Sequence, residues 1–134
     1  MINTLLLLLL FLPLQDNIKI KDAWMRPGVK DMSTALYFTI ENTGGIADTL
    51  YKAESDIAGK VELHETYQIG DMMGMRKVEM IIVNSKSKFE LKPGSHHIMV
   101  MKLKRDIKNG DEIKFKLLFK QSGLIEITAK AKKN

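Results

Sequence analysis

From residue 17 onward the chain alternates apolar and polar positions in short runs. Turn-forming residues interrupt these runs about every eight to twelve positions. Ile18, Ile20 and Trp24 lie in the first run, which stops at Pro27-Gly28, and STALYFTIEN follows, closed by Asn42-Thr43-Gly44-Gly45. Asp48 to Glu54, Lys60 to Tyr67, Met75 to Val83, Lys88 to Lys92 and His97 to Leu103 form the middle of the series. The last two runs, EIKFKLLFK and LIEITAK, flank Gln121-Ser122-Gly123 and predict a hairpin. No run carries an apolar stripe of 3.6-residue period over a helical length. Seven or eight short strands at this spacing predict an all-β fold, a sandwich or Greek-key barrel, in one domain covering residues 17–134.

The first sixteen residues do not share that pattern. The run from Leu5 to Leu14 has the length of a signal-peptide core and is short for a membrane span. No Lys or Arg precedes it, and no Ala occurs before Ala23 to supply a small-residue cleavage site. We read residues 1–16 as a signal peptide or N-terminal anchor with a non-standard or unused cleavage site. The protein is then exported, to the periplasm or an equivalent compartment, and meets a membrane only through this segment if it is retained.

With 45% hydrophobic and 28% charged residues the chain reads as globular rather than disordered. The absence of Cys removes disulfides, thiolate catalysis, Cys-based zinc sites and a lipidated Cys. The net charge of +5 owes much to IKFKLLFKQ and AKAKKN. There Lys114, Lys116 and Lys120 alternate with Ile113, Phe115 and Phe119 as a solvated strand face does. No Arg-rich patch with interleaved aromatics is present, so nucleic acid is not an expected partner.

The stretch HHIMVMKL carries chemistry. Alternation puts His97, Met99 and Met101 on one strand face, in a chain with three histidines and nine methionines. Flexible core filling accounts for most methionines, but imidazole beside thioether also suits a soft metal ion.

Together, His64, Met75, His97 and Met99 form the pattern H-x10-M-x21-H-x-M. That pattern resembles the signature of the periplasmic copper chaperones called PCu(A)C proteins. The likeness extends through KDAWMRP, ALYFTIENTGG, VELHE, MRKVEMI and ELKPGSHHIMVMKLKRDIKNGDEIKFKLLF, from about residue 17 to residue 130. The resemblance implies a cupredoxin-like Greek-key β-sandwich and a Cu(I) site made by these four residues. It further implies delivery of copper to the CuA centre of cytochrome c oxidase, in subunit II. Some members of that family carry a His- and Met-rich tail able to take Cu(II); this chain ends AKAKKN, so that role is not implied.

Inorganic chemistry agrees with the implied set. Two neutral imidazoles and two thioethers, without an anionic donor, favour the monovalent ion, and a blue-copper electron-transfer site needs a Cys thiolate this chain lacks. His64 is expected to point away from the apolar face of Val61 and Leu63. Met75 is expected at the mouth of a loop, with Met72 and Met73 as alternative donors or shields. His96 is read as a surface residue or an auxiliary to the site, and Met101 and Trp24 as core. The site is expected on the rim of the sandwich. Copper sequestration would use the same residues, and a metal-free interaction module would use none of them. An enzyme is not expected: a copper monooxygenase usually needs more histidines, and no nucleophile-elbow motif is present.

Overall fold

A computed structural model describes residues 17–133; the N-terminal signal or anchor segment lies outside them. Ten strands follow one another: β1 (Ile18–Met25), β2 (Thr34–Asn42), β3 (Asp48–Glu54), β4 (Ala58–Ile69), β5 (Met72–Lys77), β6 (Ile81–Val83), β7 (Ser87–Glu90), β8 (His96–Leu103), β9 (Glu112–Phe119) and β10 (Gly123–Ala131). There is no helix among the described residues. Hydrogen bonding links nine strands in the order β5-β4-β8-β2-β1-β10-β9-β3-β6, with β7 also on β2. All pairs are antiparallel except β1 with β10.

The long path folds over one core, which makes it a β-sandwich. Leu36, Phe38 and Ile40 of β2 and Ile98 and Val100 of β8 belong to the same buried cluster as Leu50 of β3 and Phe115, Leu117 and Phe119 of β9. Period-two alternation selects these residues on each strand. Burying each of the large side chains contributes roughly 1.5–3 kcal/mol. The predicted last hairpin forms with Leu124 opposite Leu118 and Glu126 opposite Lys116.

Two local departures shape the molecule. The expected strand from Met75 to Val83 is broken, because β5 ends at Lys77 and Val78 N–H turns to donate to Leu63 C=O. In β1 a bulge falls between Lys21 and Trp24, with Asp22 at a φ of 56°. A bulge adds one residue and reverses which side chains face inward. Ile18 and Ile20 therefore pack inward opposite Asn42 and Ile40, whereas Trp24 comes to lie opposite Tyr37 on the outer face. Trp24 is not the core anchor its place in the alternation predicted; Met25, fully buried, takes that role.

A buried carboxylate ties the start of β3 to the turn between β9 and β10. Asp48 accepts hydrogen bonds from the N–H groups of Thr49, Gln121 and Ser122 and from the Ser122 hydroxyl. Burial pushes its carboxyl up, but these donors together outweigh burial and hold it below the usual carboxylate range. Its stabilising effect is thus complete above the unfolded-state value and is lost as pH falls through the lower folded-state value. Asp48→Ala strands two loop N–H groups and is expected to cost about 3 kcal/mol in urea denaturation at neutral pH; a loss within error of zero would contradict this role.

Candidate metal centre

The site is built by three neighbouring strands, β5, β4 and β8, on the face turned away from the core. Leu63 and Ile98 fill the inner face, so alternation turns His64 and His97 outward. The register sets His64 directly opposite His97, and their ring centroids are 5.7 Å apart. Glu62 lies opposite Met99 on the same face. On the other flank of β4, His64 lies opposite Lys77 and Thr66 opposite Met75. All four predicted residues thus share one outer face: His64 and His97 are directly opposed, and Met75 and Met99 lie one pleat to either side of that pair, on β5 and β8. The site, expected on the rim of the sandwich, lies on the outer face of the sheet and reaches its edge at β5.

Met75 belongs to a strand rather than to a loop mouth. A two-residue turn at Gly70-Asp71, with Gly70 at a φ of 60°, joins Ile69 to Met72. Tyr67 then crosses Gly74 so closely that a Cβ there would sit 2.6 Å from its ring. This hairpin leaves Met72, Met73 and Met75 at 75%, 67% and 58% exposure. Met73 is on the face of Met75, opposite Gln68, and Met72 is on the other face. Met101 sits opposite Lys60 on the outer face and is not among the buried core, contrary to its reading as core. His96 points to the opposite face from His97, its Nε2 3.3 Å from Glu65 Oε2 and its ring against Phe89.

His97 is 3% exposed although it faces outward. An aromatic row covers it: Trp24 and Tyr37 are 4.8 Å apart between ring centroids, and Tyr37 and His97 6.4 Å. Lys132 and Arg26 sit over the Trp24 and Tyr37 rings. Desolvation by this burial pushes the His97 ring below its ordinary pKa. The charges of His64 and His96 act in the same direction, and a hydrogen bond to the Ser95 backbone opposes them. The ring is therefore neutral at neutral pH, with a lone pair to give.

That lone pair has no partner among the described residues. His97 Nε2 and His64 Nδ1 are both buried and, among the described residues, unpaired. A buried polar atom without a partner is costly and calls for an explanation. His64 Nε2 is 3.0 Å from Glu62 Oε1; a carboxylate only accepts, so Nε2 carries the proton and Nδ1 the lone pair. Hydrogen bonding to His64 holds the Glu62 carboxyl below the usual range against burial, and Lys60 and Lys77 reinforce it. Two bare nitrogens of adjacent rings, with methionines one pleat to either side, suit a soft cation. No group of three or more His, Cys, Asp and Glu gathers among the described residues, so a hard-metal cage of that kind is not found there.

Glu62 and Tyr37 were not singled out from sequence. Glu62 could have been: it precedes His64 by two in an alternating strand. The Tyr37–His97 contact depends on strand order, which alternation does not encode.

Comparison with known proteins agrees with this architecture. A family model described as "Putative lipoprotein LpqE-like" matches residues 18–131. "Uncharacterized protein RP573" of Rickettsia prowazekii (strain Madrid E) is 31% identical over 113 residues, covering 81% of this chain and 62% of the relative. The chain thus spans about three fifths of the length of the curated relatives it matches. Among solved structures, "Copper-bound PCuAC domain from PmoF2" is similar with a TM-score of 0.74 and 20% identity, over 89% of this chain and 95% of that one. "Solution structure of CuI-DR1885 from Deinococcus Radiodurans" is similar with a TM-score of 0.68 and 24% identity, over 89% and 82%. The fold is that of PCuAC domains.

Burial of neutral His97 has a consequence for the metal-free protein. With a folded-state pKa below the unfolded value of about 6.5, the unfolded chain binds more protons just below that pH. The contribution of His97 to stability is constant above about pH 6.5 and falls as pH drops toward the folded-state value. Urea denaturation at pH 7.5 and 5.5 should show a smaller acid loss in His97→Phe than in wild type; equal losses would contradict the assigned protonation state.

Proposed function

The chain belongs to the LpqE-like family, and from that premise we propose that it is an exported Cu(I)-binding metallochaperone whose cargo is held by His64, Met75, His97 and Met99. The observation that carries the reading is the pair of buried, unpartnered imidazole nitrogens, His64 Nδ1 and His97 Nε2, on a face shared with two methionines. The similar domains described as copper-bound and CuI-bound support the choice of metal. The family's description as lipoprotein-like supports export.

Cu(I) is a soft monovalent ion, and neutral nitrogen and thioether sulfur satisfy it without charge compensation. His97 is desolvated, whereas Met75 lies exposed on an edge strand. That asymmetry suits release by ligand exchange. An acceptor thiolate or thioether takes the place of Met75 first, and the histidines let go last. The copper stays Cu(I) throughout, so no electron moves. The acceptor we propose is a thiolate-bearing copper protein such as the CuA domain of cytochrome c oxidase subunit II. A copper-sequestering protein would share the site but not the transfer.

Under a competing chelator without oxygen, the wild type is expected to take up one Cu(I). His64→Ala with His97→Ala should abolish this uptake with an unchanged far-UV spectrum. Changes beside a metal ligand already cost about 10–100-fold in affinity, so Met75→Leu should lose at least that order. Uptake that survives the double substitution would sink the site. Copper that stays put when a CuA domain is added would instead favour sequestration.

A further inference from the structure

His64 enters here as a metal-binding ring of the function just proposed. A histidine has two ring nitrogens, and its outer torsion is broad and roughly two-fold, so either nitrogen can be presented to a metal. Which one is presented depends on what holds the other. Two different devices hold the rings at this site. His97 is covered by Tyr37 and hydrogen-bonds to the Ser95 backbone, leaving Nε2 bare. His64 has no such cover from an aromatic row; its Nε2 meets Glu62 Oε1 at 3.0 Å, leaving Nδ1 bare.

Glu62 is itself held. Its second oxygen, Oε2, lies 3.6 Å from Lys60 Nζ and 3.6 Å from Lys77 Nζ. Lys60 is on the same strand two residues before Glu62, and Lys77 is directly across from His64 on β5. The carboxylate is therefore tethered by one oxygen between two ammonium groups, with only the other free to meet the imidazole. This matters because Glu62 lies opposite Met99 and one pleat from His64, close to the ligand set. An untethered carboxylate there is a hard, anionic donor of the kind that divalent ions prefer.

We propose that Glu62, clamped by Lys60 and Lys77, is a positioning residue that fixes the His64 ring with Nδ1 toward the copper and keeps its own carboxylate out of the ligand set. The two histidines then bind through different nitrogens, His64 by Nδ1 and His97 by Nε2. Such a pairing is a spectroscopic signature that fold stability alone does not generate.

The test uses the 15N-labelled chain and long-range proton–nitrogen NMR of the imidazoles, with and without Cu(I). In the metal-free wild type, His64 is expected to carry its proton on Nε2, slowed in exchange by Glu62. Cu(I) should then shift His64 Nδ1 and His97 Nε2. In Glu62→Ala the ring turns freely: proton exchange quickens, copper reaches His64 Nε2 as well, and affinity under a competing chelator falls about 10–100-fold. Glu62→Gln retains an oxygen that accepts from Nε2–H and should restore the Nδ1 signature and part of the affinity. Copper bound through Nε2 of wild-type His64, or a Glu62→Ala variant with unchanged spectra and affinity, overturns the proposal. Should the wild type take up no Cu(I), the proposed function fails on its own, and the metal-free spectra still decide: an Nε2 proton exchanging equally fast with and without Glu62 overturns the positioning role.

Discussion

The register between β4 and β8 is the constraint on which the site depends. Antiparallel pairing sets Val61 against Val100 and Leu63 against Ile98 on the inner face. With those pairs fixed, His64 must face His97 and Glu62 must face Met99 on the outer one. A slip of β4 by one residue would send His64 into the core and Leu63 into water. Burial of the apolar pairs therefore locates the imidazoles, and the donor set needs no separate scaffold.

The outer face is unusual in being partly dry. Trp24 and Tyr37 reach it because the β1 bulge turns the tryptophan outward, and together they cover His97. The opposite flank, toward β5, is open to water. One side of the site is thus desolvated while the other is exposed and lies on a sheet edge. Tight holding and easy release make opposite demands on a carrier. In the function proposed for this chain they fall on different strands.

Alternation along the chain made most of the strands and the inner faces legible, because period-two burial is a local property. It also placed His64 away from Val61 and Leu63. It misled at Trp24, since a bulge opened by Asp22 leaves no mark in a hydrophobic pattern. Met101 was misplaced for another reason: an apolar side chain on an outer face looks like core until its partner, Lys60, is known. The four-residue spacing marked the site through resemblance, not through geometry. Nothing in the spacing revealed that Lys77 would join Lys60 at the Glu62 carboxylate, because that contact crosses between β5 and β4, whose register only the folded sheet fixes.

X-ray absorption at the copper edge of the fully loaded protein bears most directly on the convergence of two rings and two thioethers on one ion. The account predicts a Cu(I) edge with nitrogen and sulfur in equal number in the inner shell, imidazole scattering included. A shell of nitrogen and oxygen alone, with no sulfur at bonding distance, would contradict it.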